Sequence, residues 1–175
     1  MRFELILFIL TYNWYLFLLW SRFKPMPGKD KRGISGVDKK KLIEVGNKIT
    51  NIPSGFAAHK TLQKIFLQKK KMFTEKTPVD WSTAESLAFG TLLDEGFPVR
   101  LSGQDSGRGT FSQRHAVIRN QENHDRYIPL NNISKNQKKF EVVDSFLSEL
   151  AVLGFEYGYS LVEPNTLTVW EAQFG

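Results

Sequence analysis

Glu149 is the acidic residue whose surroundings suggest chemistry, because small and aromatic residues follow it at regular intervals. The pattern reads Glu149-x4-Gly154-Phe155-x2-Gly158-Tyr159. A serine directly before the glutamate is a favourable helix N-cap, so the carboxylate falls in a first helical turn, where the helix dipole stabilises it. Helix stability is enough to explain the acid. It does not explain the glycines and aromatic residues, which exceed what an amphipathic helix requires.

A glycine-rich loop at residues 103–109 is the second candidate for chemistry. Its spacing, G-x-x-x-G-x-G, matches neither the P-loop pattern nor the dinucleotide-binding pattern. Two interpretations stay open. Either the backbone approaches a bound anion, helped by Arg108, Arg114 and His115 nearby, or the loop is a tight turn with surface cations. The sequence leaves the roles of Arg108 and His115 undecided.

The residue types present exclude several kinds of site. The chain has no cysteine, which rules out disulfides, thiolate zinc sites, iron–sulfur clusters and cysteine nucleophiles. No histidine pair has the spacing of a zinc motif, and no serine stands in a G-x-S-x-G turn. His59 and His124 lie in polar surroundings, and we predict that both are surface residues.

Residues 79–175 have the pattern of an α/β fold that would position both candidates. We predict a helix from Asp80 to about Glu95 and another over 148–160, with short strands over 99–102, 140–143 and 167–170. Strands and helices joined by short connections indicate a parallel sheet. A further helix is expected after the third strand, so we expect a truncated sheet with uncovered apolar faces. The residues predicted to face inward on the first helix are Ala84, Leu87, Ala88, Thr91 and Leu92.

The segment before this region is strongly basic. Residues 21–76 contain 15 Lys and Arg against 4 Asp and Glu, whereas residues 77–175 contain 8 against 13. Helices are predicted over 38–50 and 58–73, and the lysines at 69–71 lie mostly off the apolar face of the second helix. These lysines could contact nucleic acid or form a solvated helix face. Because no aromatic residues are interleaved with them and no zinc-finger spacing exists, we do not expect a nucleic-acid partner.

Residues 1–20 form a hydrophobic head with no charged side chain from Leu5 to Trp20. The run is at the short end for a membrane-spanning helix, and it lacks the small-residue cleavage site of a signal peptide. One interpretation of the chain is therefore a membrane-anchored basic interaction protein without catalysis. The other interpretation treats the head as an artefactual or truncated start.

The Glu149 pattern resembles the pyrimidine-binding domain of thiamine-diphosphate enzymes, and longer stretches resemble the first component of 2-oxoglutarate dehydrogenase. Those stretches are VDWSTAESLAF (79–89), LDEGFPVRLSGQD (93–105), RGTFSQRHA (108–116), DSFLSELAVL (144–153) and WEAQFG (170–175). The similarity extends back through residues 51–56 and His59 to residues 19–21. The resemblance implies an internal fragment of a longer chain. In it, the head at 1–20 is an artefactual or truncated start, 21–78 a basic helical linker, and 79–175 an incomplete pyrimidine-binding domain.

The activity that the resemblance implies is oxidative decarboxylation of 2-oxoglutarate in the tricarboxylic acid cycle. The succinyl group would pass to lipoamide on dihydrolipoyl succinyltransferase. The implied cofactors are thiamine diphosphate and Mg²⁺, the metal being bound by a domain absent from this chain. The full-length enzyme would be a homodimer in the bacterial cytoplasm or the mitochondrial matrix, with no membrane partner. The fragment alone is expected to be inactive.

The resemblance also assigns site residues. Glu149 corresponds to the catalytic glutamate that hydrogen-bonds a ring nitrogen of the cofactor's aminopyrimidine, and it should lie in a dry pocket. Leu147 corresponds to the apolar residue against that ring. Phe174 falls among the aromatic residues beside the ring, and Gln173 is a further candidate that faces the same site.

Overall fold

The structure is a computed structural model that describes residues 16–24, 35–75 and 77–173. Most of the hydrophobic head, residues 1–15, and the predicted site residue Phe174 lie outside these ranges. Within them, no helix combines the length and the apolar character needed to cross a bilayer.

Two helices form the basic segment. Helix α1 is Lys39–Ile49 and helix α2 is Lys60–Thr74, each within two residues of its predicted bounds. Asp38 caps α1, because its side chain accepts a hydrogen bond from the backbone N–H of Lys40. His59 is exposed, as predicted, and caps α2 through Nδ1, which accepts from the backbone N–H of Thr61 at 3.2 Å.

The second part of the chain alternates helices and strands. Asp80 begins the next helix by accepting a hydrogen bond from the backbone N–H of Thr83 at 2.7 Å, as its position predicts. The elements in chain order are α3 (Trp81–Asp94), β1 (Val99–Gly103), β2 (Ile118–Arg119), β3 (Arg126–Tyr127), a 3₁₀ turn (Pro129–Asn131), β4 (Phe140–Asp144), α4 (Glu149–Val162) and β5 (Leu167–Glu171).

Strands β1, β4 and β5 form the parallel sheet, in the order β4-β1-β5. Val99 of the central strand pairs with Phe140 on one side and with Leu167 on the other. Helix α4 connects the two outer strands, so the chain crosses over β1. The predicted α/β fold with a parallel sheet is confirmed. The short antiparallel hairpin of β2 and β3 was not predicted, because two-residue strands are too short to show an alternating pattern.

One hydrophobic core joins the basic segment to the sheet. Val45 and Ile49 of α1 pack in the same cluster as Leu93 of α3 and Phe140 of β4. The rings of Phe89 and Phe140 stack with their centroids 5.8 Å apart. The apolar face of α1 is therefore covered by residues that follow position 78, and the division of the chain at that position stays a prediction.

The inward face predicted for α3 is partly wrong. Ala84 and Ala88 are exposed, whereas Thr83, Phe89 and Leu93 are buried. Helix α3 contacts α1 as well as β1, and its apolar residues occur nearly all round its axis. A helix that is apolar on most sides gives no single inward stripe, so its periodicity could not identify the buried face.

The lysine run at 69–71 is not uniformly solvated. Lys69 is 7% exposed, contrary to the prediction that these lysines lie off the packed face. Its Nζ donates hydrogen bonds to Ser82 Oγ at 2.8 Å and to the carbonyl oxygen of Gln113 at 3.2 Å. These oxygens replace water around the ammonium group, which is what a buried charge requires. Burial lowers the pKa of Lys69, although Asp80 and Glu85 oppose that shift.

Candidate functional site

The carboxyl ends of the three parallel strands meet at one edge of the sheet. Strand β1 ends at Gly103, β4 ends at Asp144 and β5 ends at Glu171. Helix α4 begins a few residues after β4, so its N-terminus lies toward this edge. Open α/β sheets bind their ligands outside the carboxyl ends of their strands. This edge is therefore the candidate functional site.

Glu149 is the first residue of α4 and is half-buried. Ser148 caps the helix by accepting a hydrogen bond from the backbone N–H of Ala151, as predicted. The Glu149 Oε1 accepts a hydrogen bond from the backbone N–H of Gln173 at 2.8 Å. This bond joins the start of α4 to the chain that follows β5, and it orients the carboxylate. Within the part of the chain that the structure describes, Oε2 accepts no hydrogen bond and is free to meet a ligand.

The structure brings the predicted site residues Gln173 and Glu149 together, but through the backbone of Gln173 and not through its side chain. Gln173 contacts Glu149 through its backbone, while its side-chain Oε1 accepts a hydrogen bond from Thr110 Oγ1 at 3.1 Å. Leu147 is 57% exposed, and its neighbour Phe146 is fully exposed. The described residues alone therefore do not enclose Glu149 in a dry pocket. That pocket, and the role of Phe174, stay predictions.

A buried arginine supports the segment after β5. Arg114 is 6% exposed and donates to both oxygens of Glu171, at 2.7 and 2.8 Å, and to both oxygens of Glu85, at 2.6 and 3.1 Å. It also donates to the carbonyl oxygen of Ser106 at 2.9 Å. Burial by itself lowers the pKa of Arg114, but the hydrogen bonds that Arg114 donates to Glu171 and Glu85 outweigh burial and raise it. The arginine thus ties α3, the loop after β1 and the end of β5 together.

The glycine-rich loop packs closely on the ends of the strands. A Cβ at Gly103 would lie 2.7 Å from the carbonyl oxygen of Glu171, so that position excludes a side chain. The backbone N–H of Gly107 donates to Asp144 Oδ1 at 2.8 Å, and Gly109 has a φ of +83°. The anion that this backbone meets is the chain's own Asp144 carboxylate. These contacts favour the tight-turn interpretation.

The cations near the loop fit the same interpretation. Arg108 is exposed and pairs with Asp105 on the surface. Arg114 is already bound by two carboxylates. Neither arginine is therefore left to hold a separate anion, whereas His115 turns its Nε2 into the protein interior.

A second arginine holds the middle of α4 on the sheet. Arg100 of β1 donates to both oxygens of the buried Glu156, at 2.8 and 2.9 Å, and to Glu141 at 2.9 Å. Its guanidinium also lies 4.8 Å from the ring centroid of Tyr159 and 5.5 Å from that of Phe155. The Arg100 hydrogen bond lowers the pKa of Glu141, although burial opposes it. These contacts set where the helix, and hence Glu149, sits against the sheet.

Sequence reasoning missed both arginine clusters. The available signal was a charged residue inside an otherwise apolar element: Arg100 interrupts the strand VRLSG, and Glu156 interrupts the helix ELAVLGFEYGYSLV. Such residues are rarely buried without a partner. The sequence does not say which partner each one has, because the partners lie far away along the chain.

The described ranges contain no group of three His, Asp or Glu side chains that could hold a metal ion. The expectation that the metal is bound by another domain stays a prediction.

Comparison with known proteins gives a family match and several close relatives. Residues 77–175 match the family model described as "Transketolase, pyrimidine binding domain". The chain is 56% identical over 147 residues to the "2-oxoglutarate dehydrogenase E1 component" of Rickettsia felis. The aligned region covers 84% of this chain and 15% of the relative. It is 54% identical over 147 residues to the protein of the same name from Brucella canis, and 57% identical over 142 residues to that from Rickettsia conorii. The chain thus spans about 15% of the length of these relatives.

Proposed function

This chain belongs to the transketolase pyrimidine-binding domain family, and on that premise we propose that it is the pyrimidine-binding part of a thiamine-diphosphate-dependent 2-oxoglutarate dehydrogenase. The observation that carries the proposal is the Glu149 carboxylate. It lies at the carboxyl edge of the parallel sheet, and its Oε1 is held by the backbone N–H of Gln173. The names of the relatives support the choice of 2-oxoglutarate as the substrate.

The geometry at Glu149 fits an aminopyrimidine ring. Its Oε2, which no described residue occupies, would hydrogen-bond a ring nitrogen and hold a proton there. Leu147, exposed two residues earlier, would supply an apolar surface for the ring, and Phe174 would lie beside it. The bound cofactor supplies the nucleophilic carbon for decarboxylation of a 2-oxo acid, and this chain supplies orientation and proton handling.

The remaining parts of the activity are assigned to the rest of the enzyme. Mg²⁺ and the diphosphate would be held by a separate domain, in a homodimer whose subunits share the site. The succinyl product would pass to lipoamide on dihydrolipoyl succinyltransferase. The compartment would be the bacterial cytoplasm, as the bacterial sources of the relatives suggest, or the mitochondrial matrix in a eukaryote.

The decisive experiment is Glu149→Gln in the full-length enzyme that carries this segment. We expect turnover of 2-oxoglutarate to fall on the order of 10²–10⁴-fold, because the amide cannot carry the proton. Glu122→Gln, at an exposed glutamate far from α4 in the sequence, is the matched control and should leave turnover unchanged. Near-normal turnover in Glu149→Gln would contradict the proposal.

A second test uses the 175-residue chain alone. We expect it to bind thiamine diphosphate weakly, as measured by calorimetry, and to show no turnover with 2-oxoglutarate and an electron acceptor. Turnover by the chain alone would show that the diphosphate-binding domain is not needed.

A further inference from the structure

A small cavity lies behind the loop that leads into β2, between α2, α3 and the 3₁₀ turn. Its volume is about 30 Å³. Lys69, Thr83 and His115 supply polar atoms to its lining, whereas Phe66 and Leu130 make other parts of the wall apolar. A cavity needs roughly 10–15 Å³ of such space to admit one water molecule, so the volume suffices for a very small ligand only.

Two polar atoms at this cavity have unmet hydrogen-bonding capacity. His115 Nε2 is buried and has no hydrogen-bond partner among the residues that the structure describes. Thr83 Oγ1 is also buried, and its one neighbouring polar group among those residues is the Asp80 carboxylate, so its oxygen is still able to accept a hydrogen bond. Thr83 is 1% exposed. A buried polar group without a partner costs about 1–3 kcal/mol, so native proteins seldom leave one unmatched.

Lys69 adds a donor to the same space. Its ammonium group has three N–H bonds, and two of them are used by Ser82 Oγ and the carbonyl oxygen of Gln113. The third N–H remains for a group in the cavity. The occupant must therefore accept a hydrogen bond from Lys69.

Lys69 needs a hydrogen-bond acceptor in the cavity, whereas His115 can need a donor, because its ring is held neutral. Burial lowers the pKa of His115, and the charge of Lys69 lowers it further. A hydrogen bond with the Ser112 backbone opposes this shift, as does the charge of Asp105. A neutral imidazole has one donor nitrogen and one acceptor nitrogen, and we assign the acceptor role to Nε2, the nitrogen that has no partner among the described residues. The occupant must therefore also donate a hydrogen bond.

We propose that this cavity is a binding site for one ordered water molecule. The water accepts a hydrogen bond from Lys69 Nζ, donates one to His115 Nε2 and completes a third with Thr83 Oγ1. An anion does not fit, because it cannot donate to Nε2 and because the charge of the nearby Arg114 is already matched by two carboxylates. The site connects α2 of the basic segment to α3 and to the loop before β2, and it is independent of the proposed activity.

Nuclear magnetic resonance of the ¹⁵N-labelled chain at about pH 7.5, above the ordinary histidine pKa, tests the proposal. We expect His115 to carry its proton on Nδ1 and to show a contact with a long-lived water at its ring protons. His59 and His124 are exposed and serve as internal controls that contact only rapidly exchanging water. A proton on Nε2 of His115, or the lack of a long-lived water contact, would overturn the site.

Two variants at one position test the third partner. Thr83→Val removes the hydroxyl with little change of volume, whereas Thr83→Ser keeps it. We expect the water contact at His115 to be lost in Thr83→Val and retained in Thr83→Ser. Equal contacts in both variants would overturn the three-point site. If Thr83→Val does not fold, the measurement on the unaltered chain decides alone.

A crystal of the chain grown with bromide tests the identity of the occupant. We expect density for water within hydrogen-bonding distance of Lys69 Nζ and His115 Nε2, with no anomalous signal. Anomalous scattering from bromide in the cavity would show an anion site and overturn the proposal.

Discussion

The Arg114 cluster (Glu85, Ser106, Arg114 and Glu171) and the α4 surface (Phe146, Leu147, Leu150, Phe155 and Tyr157) differ in almost every respect. In the cluster, a guanidinium that is 6% exposed makes five hydrogen bonds to groups of this chain. On the α4 surface, every one of the five large side chains is more than half exposed. Leu150 and Tyr157 are seven residues apart and so share one face of α4, and exposed apolar groups that share a face mark a binding or association site more often than scattered ones do.

The Arg114 cluster stabilises the fold, whereas the α4 surface is open to contact with another molecule. Glu149 stands between the two regions, since its carboxylate is held by the segment that the cluster anchors while its helix carries the exposed surface. Substitutions in the cluster should therefore change the stability of this chain. Substitutions on the α4 surface should leave its stability nearly unchanged, except at Phe155, whose ring lies beside Arg100.

The largest expected effect is that of Arg114→Met. It leaves Glu85 and Glu171 without their common partner, and removing one member of a buried ion pair costs about 3–5 kcal/mol. Because Glu85 is partly exposed, we expect a loss at the lower end, about 3 kcal/mol in the free energy of unfolding. Urea denaturation followed by circular dichroism measures this. Arg108→Met, at the exposed arginine paired with Asp105, is the control. An equal loss in both variants would contradict the conclusion that the buried Arg114 cluster stabilises the fold.

The next effect distinguishes the two faces of α4. Val152 is 3% exposed and Leu150 is 79% exposed on the same helix. We expect Val152→Ala to lower the free energy of unfolding by about 2 kcal/mol, from lost burial and the cavity left behind. Leu150→Ala should change it by less than about 0.5 kcal/mol. Equal losses in urea denaturation would show that Leu150 is packed in the folded chain.

The smallest of the three effects is a pH dependence from His115. Its pKa is lowered in the folded chain, chiefly by burial, so below about pH 6.5 the unfolded chain binds a proton that the folded chain resists. The stability that comes from the neutral ring is therefore complete above that pH and is lost as the pH falls toward the folded pKa. Urea denaturation at several pH values should show a smaller loss on acidification in His115→Gln than in the unaltered chain. Identical pH profiles for the two chains would contradict the lowered pKa of His115 in the folded chain.

Local rules were sufficient for the four helices α1–α4 and for the three strands of the parallel sheet, but not for the short hairpin of β2 and β3. Asp80 and Ser148 are N-cap residues followed by apolar helices, and both begin helices as predicted. The three short β-branched or apolar runs became the three parallel strands. These features depend on neighbours within about four residues, which is the distance over which capping and periodicity act.

The identity of Glu149 as the candidate acid also came from the sequence, through its spacing to glycines and aromatic residues. Its orientation did not. The backbone N–H that holds its Oε1 belongs to Gln173, 24 residues later, on the far side of β5. Only the crossover of α4 between the outer strands brings those two groups to the same edge of the sheet.

Sequence alone therefore determined the four helices and the three parallel strands, the family pattern that they carry and the acid that begins α4. Tertiary structure alone decided that Lys69 is buried, that Arg114 meets carboxylates 29 and 57 residues away, and that Arg100 meets Glu156. The reason is physical. A charged side chain is buried only where distant groups replace its water, and the chain's path through the fold selects those groups.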